Sequence, residues 1–314
     1  MRLIFMGTPH FAVPSLEKLL DSAHQVVAVF TQPDRPAGRG EKVAVPPIKG
    51  LALRQGIPVY QPENLKEAEW GRTFLEIRAD ALVVVAYGMI LPRWLLQIST
   101  YGAYNLHASL LPKYRGAAPI QWAIANGEPE TGVTTMKLDE GMDTGDILLQ
   151  KRVPIGPLET TPELQLRLSD IGADLLLHTL QLLESRELRG MPQVSELASY
   201  APCLKKENGC IHWEQWTSHQ VFNRIRAFNP WPGTYTHLHT RQLRIWKARP
   251  REGTVGSLPP GTLVQETAED PAVVCAQGLL SLLEVQLENR KRISAKEMLN
   301  GLRIPRNQPI LLGT

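Results

Sequence analysis

Asn105 and His107 stand one residue apart in the stretch AYNLHA and carry side chains suited to chemistry at a carbonyl group. If this stretch is a β-strand, both side chains point to the same face, because strand side chains alternate with a period of two. An amide beside an imidazole can hold one oxygen that becomes negative during acyl transfer, and one such donor contributes on the order of 3–4 kcal/mol. Imidazole also titrates near neutrality and can move a proton. A structural role for both side chains is the alternative.

Three aspartates, Asp139, Asp143 and Asp146, lie close together in DEGMDTGDI with two glycines. This density of turn-forming residues predicts a tight loop. A carboxylate in that loop could orient His107 or accept a proton from a nucleophile. A calcium site of the EF-hand type competes with this interpretation, but the spacing and the terminal glutamate of that loop are absent. A plain turn is the other alternative.

Two further segments could bind a substrate. SLLPKYRG (109–116) predicts a turn after the Asn–His stretch, with backbone groups and apolar side chains that could hold a flat heterocycle. TQPDRPAGRGEKVAVPPIK (31–49) has four prolines, two glycines and no periodicity, which predicts a long structureless loop. Loops of this length are usually functional or disordered. The loop carries three cations, Arg35, Arg39 and Lys42, which could hold phosphates. The alternative is a mobile surface loop with solvated charges.

Short apolar strands alternate with helix-like segments in the first half, and these elements must position the residues above. The strand-like runs are RLIFMG, QVVAVFT, IPVYQP and DALVVVAYG, and the helix-like runs are VPSLEKLLDSA, IKGLALRQG and EAEWGRTFLEIRA. Apolar strands separated by helices predict an α/β fold with a mostly parallel sheet covered on both faces. Ligands of such sheets bind beyond the carboxyl ends of the strands. We therefore expect four segments to meet at one crevice: Gly7-Thr8, the segment after Thr31, Tyr87-Gly88 and Asn105–Pro112.

Several classes of protein are excluded by missing patterns. The chain reads GTPHFA after the first strand, so the GxGxxG fingerprint of dinucleotide binding is absent, as is the Walker A pattern. The three cysteines lack CxxC spacing, which argues against a disulfide framework and a zinc site, so no metal is expected. No apolar run is long enough to cross a bilayer, and no cleavable leader is visible. The sequence therefore predicts a cytoplasmic protein without membrane association.

The character of the chain changes near residue 190. Residues 157–185 predict one long amphipathic helix, and residues 186–210 are irregular. The remainder is rich in strand-like runs broken by Pro/Gly turns, which predicts a small barrel. We expect a catalytic domain at 1–190, a linker at 191–206 and a barrel domain at 207–314.

Charge is also uneven along the chain. Residues 205–314 hold 15 Lys and Arg against 9 Asp and Glu, whereas residues 1–204 hold 19 against 22. A basic second half predicts a surface that faces a polyanion, with chance asymmetry as the alternative.

Long motifs in the chain resemble those of the methionyl-tRNA formyltransferase family, in the same order, from Met1 to about residue 300. They are GTPHFAV, TQPDRPAGRG, NLHASLLPKYRGAAPIQWAI, GVTTMKLDEGMDTGDIL and RAFNPWPGTY. The resemblance implies a Rossmann-like formyltransferase domain and a C-terminal OB-like barrel. It also implies that the formyl group of 10-formyltetrahydrofolate, a co-substrate, passes to the amino group of methionyl initiator tRNA for translation initiation. Leu138, where methionine is common, and His212, where an acidic residue is frequent, are small departures.

The same resemblance implies roles for individual residues. Asn105, His107 and Asp143 match the catalytic triplet of the family. Arg39 matches an arginine that reaches the tRNA acceptor end, and we expect the other two cations of its loop to assist it. The folate-contacting turn is matched by Ser109, Leu110, Leu111 and Pro112. The protein is expected to act as a monomer without a metal.

Three other functions compete with this one. A sugar-nucleotide formyltransferase would share the catalytic chemistry, but its acceptor carries only a diphosphate, so the basic second half favours tRNA. A formyltetrahydrofolate hydrolase would use water as acceptor and would leave that second half without a purpose. An RNA-binding protein with an inactive catalytic domain is disfavoured because all three triplet residues are present.

Overall fold

The computed structural model of this chain describes residues 1–37, 42–253, 258–265, 270–302 and 310–313. Contacts between residues divide it into two units. Unit 1 comprises Met1–Pro119, Glu130–Pro154 and Pro162–Ala201, and unit 2 comprises Ile120–Pro129, Ile155–Thr161 and Pro202–Thr314. The functional boundaries expected at residues 190 and 206 stay a prediction.

One seven-stranded sheet organises unit 1. The elements from Met1 to Glu184 are β1 (Arg2–Gly7), α1 (Val13–Leu20), β2 (Gln25–Phe30), β3 (Arg35–Ala37), β4 (Lys42–Ala44), α2 (Pro47–Arg54), β5 (Val59–Tyr60), α3 (Ala68–Ile77), β6 (Ala81–Val85), α4 (Arg93–Leu96), β7 (Gly102–His107), α5 (Pro119–Ala125), β8 (Glu130–Lys137), β9 (Ile147–Pro154) and α6 (Thr161–Glu184). Of these, α5 belongs to unit 2 apart from its first residue. The strand order is β5-β2-β1-β6-β7-β8-β9. Neighbours are parallel from β5 to β7 and antiparallel from β7 to β9. This confirms the predicted α/β fold with a mostly parallel sheet.

The buried strands explain why this sheet forms. All five residues of β6, ALVVV, are buried, as expected for a central strand with both faces covered. On β2, Phe30 stacks on Tyr60 and Phe74, with ring centroids 4.9 and 4.2 Å apart. Apolar side chains therefore fill the faces of the sheet, and its strand ends are left for polar functions.

The loop predicted at 31–49 contains more structure than the sequence indicates. β3 and β4 pair as an antiparallel two-stranded sheet, with Arg35 opposite Ala44. The prediction of a structureless loop is therefore wrong for these residues. Backbone hydrogen bonds join the two strands, although the side chains do not alternate between apolar and polar. Asp34 fixes the base of this hairpin, since its carboxylate accepts hydrogen bonds from Lys49 Nζ at 2.6 Å and Gln61 Nε2 at 2.8 Å. These bonds hold the pKa of Asp34 below its usual value.

The long helix predicted at 157–185 is α6, Thr161–Glu184. The helix begins later than predicted, at Thr161, and Pro162 lies in its first turn, where a missing backbone N–H has no cost. None of the helices in the described ranges has the length and apolar character needed to cross a bilayer.

Unit 2 contains a closed antiparallel barrel. Its later elements are α7 (Ser218–Phe228), β10 (Thr234–Leu238), β11 (Arg241–Arg251), β12 (Thr262–Val264), β13 (Ala272–Val274), β14 (Leu279–Leu287), β15 (Ile293–Ser294), α8 (Ala295–Leu302) and β16 (Ile310–Gly313). The strand order is β11-β10-β16-β12-β13-β14, and pairing of β11 with β14 closes the ring, while β15 adds to β14 outside it. Trp213 is buried in the core of this unit and donates its indole hydrogen bond to Thr236 at 2.9 Å. The predicted β-rich barrel is therefore confirmed.

Candidate active site

Strand β7 carries Asn105 and His107 to the carboxyl end of the sheet. Asn105 pairs with Val84 on β6 and Met136 on β8, and His107 pairs with Thr134. All six residues of β7 are buried, and Asn105 and His107 are 9% and 6% exposed. Their spacing of two puts both side chains on one face, as the sequence predicts. Among the described residues, the Asn105 side chain has no hydrogen-bond partner, so its amide can meet a ligand.

The imidazole of His107 lies between two oxygen acceptors. Its Nε2 is 2.9 Å from the carbonyl oxygen of Tyr114. Because a carbonyl only accepts, Nε2 must carry a hydrogen, and the neutral ring then has its lone pair on Nδ1. Nδ1 is 3.7 Å from Oδ1 of Asp143, too long for a hydrogen bond but within ion-pair range. A small polar atom could bridge Nδ1 and the carboxylate.

The orientation of the Asp143 carboxylate is fixed by the backbone. Asp143 has φ +54, in the left-handed region that aspartate tolerates better than most residues. Its Oδ2 accepts a hydrogen bond of 2.8 Å from the amide of Gly116, and its side chain is 16% exposed. Oδ1 is therefore directed at the imidazole of His107, and the role that the resemblance implies for Asp143 stays a prediction.

The other two aspartates of the loop have different roles. Asp139 Oδ1 accepts hydrogen bonds from the Gly141 amide at 3.1 Å and the Thr144 hydroxyl at 2.7 Å. Asp139 therefore shapes the turn, in agreement with the plain-turn interpretation for this residue. Asp146 contributes its backbone carbonyl, which accepts from the Lys137 amide at 2.9 Å. Within the described ranges, no group of three His, Cys, Asp or Glu side chains could hold a metal ion.

The turn after β7 is held by internal hydrogen bonds. Ser109 and Leu111 are buried. The Ser109 hydroxyl donates to the Lys113 carbonyl at 2.6 Å, and the Ser109 carbonyl accepts from Thr134 at 2.6 Å. Leu110 and Pro112 are half-buried. Of the four residues predicted to contact folate, these two can offer side-chain surface to a ligand, and the binding role of all four stays a prediction.

The predicted tRNA-contacting cations belong to the β3–β4 hairpin. Arg35 is exposed, and its Nη2 donates to Gln32 Oε1 at 3.4 Å. Lys42 lies in β4, and its backbone pairs with Ala37. Arg39 lies outside the described residues. No contact joins Arg35 to Asn105, His107 or Asp143 in the described part of the chain.

Sequence analysis missed three groups that hold the triplet in place. They are the Tyr114 carbonyl, the Gly116 amide and the side chain of Gln193, whose amide donates to the Asp143 carbonyl. Two of them are backbone groups, which carry no signal in residue types. The sequence did predict a turn at Lys-Tyr-Arg-Gly after Pro112, which holds the Tyr114 carbonyl and the Gly116 amide. Gln193 gave no signal, because it lies in the segment that was predicted to be a linker.

Known proteins share this architecture. The sequence matches a family model described as "Formyl transferase" over residues 1–180 and one described as "Formyl transferase, C-terminal domain" over residues 203–303. A methionyl-tRNA formyltransferase of Geotalea daltonii is 48% identical over 304 residues, which is 97% of this chain and 96% of that protein. A methionyl-tRNA formyltransferase of Solibacter usitatus is 46% identical over 310 residues, which is 99% of this chain and 98% of that protein.

A solved structure also resembles the chain. The sugar 3N-formyl transferase WlaRD, crystallised in the presence of dTDP and 5-N-formyl-THF, matches with a TM-score of 0.67 at 20% identity. The match covers 93% of this chain and 99% of that chain. At this identity the likeness shows a shared fold.

Proposed function

This chain belongs to the methionyl-tRNA formyltransferase family, and we propose that Asn105, His107 and Asp143 form its active site. The enzyme transfers the formyl group of 10-formyltetrahydrofolate to the free amino group of methionyl initiator tRNA. The product is the N-formylmethionyl-tRNA used in translation initiation. One observation carries the assignment of residues: the imidazole of His107 lies between the Tyr114 carbonyl and the Asp143 carboxylate at the carboxyl end of the sheet.

The reaction moves one carbon between two nitrogens. The bond from the formyl carbon to the methionyl amine forms, and the bond to N10 of the folate breaks. Negative charge develops on the formyl oxygen in the transition state, the amine loses a proton, and N10 gains one. The protein must therefore supply a hydrogen-bond donor for the oxygen and a group that carries the proton.

Asn105 is the proposed donor to the formyl oxygen. Its side chain projects from a buried strand, which limits its movement and places the amide beside His107 before the reaction begins. The sequence suggests that His107 shares this role. The hydrogen bond from Nε2 to Tyr114 supports separate roles instead, in which Asn105 stabilises the oxyanion and His107 transfers the proton. With Nε2 occupied, only Nδ1, which has no hydrogen to donate in the neutral ring, faces the substrate.

His107 and Asp143 are the proposed proton-transfer pair. Nδ1 of His107 and Oδ1 of Asp143 are 3.7 Å apart. Each atom has a lone pair that can accept a hydrogen bond from the attacking amine. His107 takes the proton of the attacking amine and becomes a cation, which the carboxylate stabilises. Nδ1 then returns the proton to N10 as it leaves. The Tyr114 bond keeps the ring in the tautomer that this step requires.

The turn at 109–112 is the proposed wall of the folate site. Leu110 and Pro112 are the half-buried apolar side chains beside β7, and they suit the flat face of the folate ring. Ser109 and Leu111 are proposed to support this surface, since their polar groups are bonded inside the protein. When bound, the co-substrate supplies the activated formyl group.

Initiator methionyl-tRNA is the proposed polyanionic partner. Residues 205–314 carry 15 Lys and Arg against 9 Asp and Glu, which suits a phosphate backbone. We propose that Arg35, Arg39 and Lys42 meet the acceptor end, and that the barrel holds the rest of the tRNA. We further propose that one copy of the chain suffices and that it acts in the cytoplasm, where its tRNA substrate is used.

The test is a transfer assay with competing acceptors. The protein is incubated with 10-formyltetrahydrofolate and either methionyl initiator tRNA, a nucleotide-linked amino sugar or water alone. We expect a formyl group on methionine, detected by mass, only with the charged tRNA. Faster transfer to the amino sugar, or release of formate without an acceptor, would reject the proposed substrate.

A further inference from the structure

A segment near the end of unit 1 contacts both loops of the proposed active site. Met191 and Ile147 exchange backbone hydrogen bonds of 2.8 and 2.9 Å where β9 begins, directly after the Asp143 loop. Further along, the Arg115 amide donates to the Ser199 carbonyl at 2.8 Å, and the Ala201 amide donates to the Arg115 carbonyl at 2.7 Å. The segment therefore runs from one loop to the other.

Gln193 is the inward-facing side chain of this segment. Its neighbours Pro192 and Val194 are exposed, whereas Gln193 is half-buried. Its Nε2 donates to the carbonyls of Asp143 and Gly145, each at 2.8 Å. Its Oε1 accepts from Nε of Arg115 at 3.0 Å and from Nη2 of Arg115 at 2.7 Å. Both ends of the amide are thus occupied.

Arg115 gives Gln193 a rigid support. The side chain is buried at 4% exposure, and its backbone is fixed by the strand-like pairing with Ser199 and Ala201. A buried guanidinium requires hydrogen-bond acceptors, and the Gln193 oxygen satisfies two of its donors. Loss of Gln193 would therefore leave the guanidinium of Arg115 without this acceptor and the Asp143 loop without its two donors.

The Asp143 loop needs such a support. A residue with a side chain at φ +54 costs free energy unless its surroundings hold it there. The two hydrogen bonds from Gln193 hold the carbonyls of Asp143 and Gly145, and so fix the peptide groups that set this conformation. They do not touch the carboxylate itself, which is held separately by Gly116.

We propose that Gln193 is a positioning residue for formyl transfer, which anchors the Asp143 loop to Arg115 and keeps Oδ1 of Asp143 facing Nδ1 of His107. This proposal rests on the proposed function of Asp143 and His107. Gln193 lies outside the reacting atoms, so its loss should slow the chemical step and leave substrate binding unchanged.

Gln193→Glu tests the hydrogen bonds that Gln193 donates separately from those that it accepts. A carboxylate still accepts from Arg115 and preserves the fold, but it cannot donate to the two loop carbonyls. We expect kcat to fall about tenfold or more while KM for folate and for tRNA stays within about twofold. The imidazole 15N resonances of His107 should shift in the free enzyme. Unchanged kcat and unchanged resonances would overturn the proposal.

The matched control is Gln25→Glu. Gln25 is exposed at the amino end of β2, the sheet edge opposite the proposed site, and its Oε1 also accepts from an arginine, Nη1 of Arg2 at 3.4 Å. We expect its kcat to remain within about twofold of the parent enzyme. An equal loss in both variants would show that the effect of Gln193→Glu is not local, which would also overturn the proposal.

A double-mutant cycle with Asp143→Asn decides whether Gln193 acts through Asp143. If it does, Gln193→Glu should lower kcat by less than about threefold in the Asp143→Asn background, because the effects of coupled residues do not add. Effects that multiply in full would overturn the positioning role. If Gln193→Glu does not fold, Gln193→Leu enters the same cycle. Asp143→Asn alone with normal kcat would instead reject the proposed active site.

Discussion

The carbonyl oxygen of Tyr114 lies 2.9 Å from Nε2 of His107 and determines which nitrogen of the imidazole faces the carboxylate of Asp143. Tyr114 holds this position with φ +60, a conformation that is uncommon for residues with a side chain. Asp143, on the other side of the ring, is also left-handed at φ +54. Both contacts of the His107 imidazole therefore come from residues in left-handed conformations that the surrounding fold must maintain.

Replacing His107 by alanine tests the proton-transfer role. We expect kcat to fall about 100-fold or more, because the variant lacks the group that moves the proton. The affinity for charged tRNA should stay within about twofold, since His107 acts mainly in the transition state. Single-turnover kinetics and filter binding measure the two quantities. His178→Ala, an exposed histidine of α6, is the control, and activity of His107→Ala at the control level would remove His107 from the mechanism.

The aspartates of the 139–146 loop offer a matched pair of variants. Asp143→Asn keeps an oxygen for the Gly116 amide but loses the charge that stabilises a protonated imidazole, so kcat should fall about 100-fold. Asp139→Asn keeps the oxygen that Gly141 and Thr144 need, and kcat should remain within about threefold. Steady-state rates at saturating substrates compare them. Similar losses in both variants would mean that the loop acts as a structural unit only.

Arg39 should matter for tRNA and not for folate. Arg39→Ala removes a cation proposed to meet phosphate, so KM for charged tRNA should rise about tenfold, with KM for folate within about twofold. The dependence of tRNA affinity on salt should weaken in parallel. Arg54→Ala, at the exposed end of α2, is the control. Equal changes for both substrates would exclude a clamp on the acceptor end.

Glycine variants separate a constrained position from a permissive one. At Gly116, φ is +119 and a Cβ would lie 2.7 Å from the Ala201 carbonyl oxygen, so Gly116→Ala should cost about 1–3 kcal/mol. At Gly71 in α3, no atom lies within 4 Å of a new Cβ, so Gly71→Ala should stabilise the fold by about 0.5–1 kcal/mol. Urea unfolding measures both. A Gly116→Ala protein as stable as its parent would contradict the close approach.

The buried thiol of Cys275 should resist alkylation. Burial raises its pKa from 9.0 to about 12, whereas Cys203 is exposed. Because the thiolate is the nucleophile, iodoacetamide should label Cys203 first and Cys275 only after unfolding. Mass spectrometry of peptides follows the order. Early labelling of Cys275 in the folded protein would show that the barrel opens at this site.

The same shift predicts a pH effect on stability. The folded protein keeps the Cys275 thiol neutral, whereas the unfolded chain ionises it above a pKa of 9.0. Burial of the neutral thiol therefore contributes its full stability below pH 9.0, and this contribution is lost as pH rises toward the folded pKa of about 12. The parent protein should lose stability relative to Cys275→Ala between about pH 8 and about pH 10. A constant difference across this range would contradict the shift.

The sequence predicted the overall fold because its signals are local. Each central strand is a short apolar run, as in ALVVV of β6, and each predicted helix has its own periodicity. The β3–β4 hairpin escaped prediction, since its proline-rich residues show no alternation and its pairing depends on the backbone. The spacing of Asn105 and His107 likewise predicted their common face, because strand geometry alone determines it.

The support of the site could not be predicted for a different reason. Residue types do not show which of Asp139, Asp143 and Asp146 meets the imidazole, because that depends on hydrogen bonds within the folded loop. The Tyr114 carbonyl and the amide of Gly116 belong to the backbone and are common to every sequence. Gln193 is distant from the triplet along the chain, and one isolated glutamine gives no pattern.

The contacts of residues 191–201 have a consequence for synthesis and for shortened forms of the enzyme. Asn105, His107 and Asp143 are synthesised before Gln193 and Ser199, so a nascent chain contains all three proposed catalytic side chains before the segment that contacts their loops. A fragment cut at residue 190 would keep the three side chains and lose these supporting hydrogen bonds.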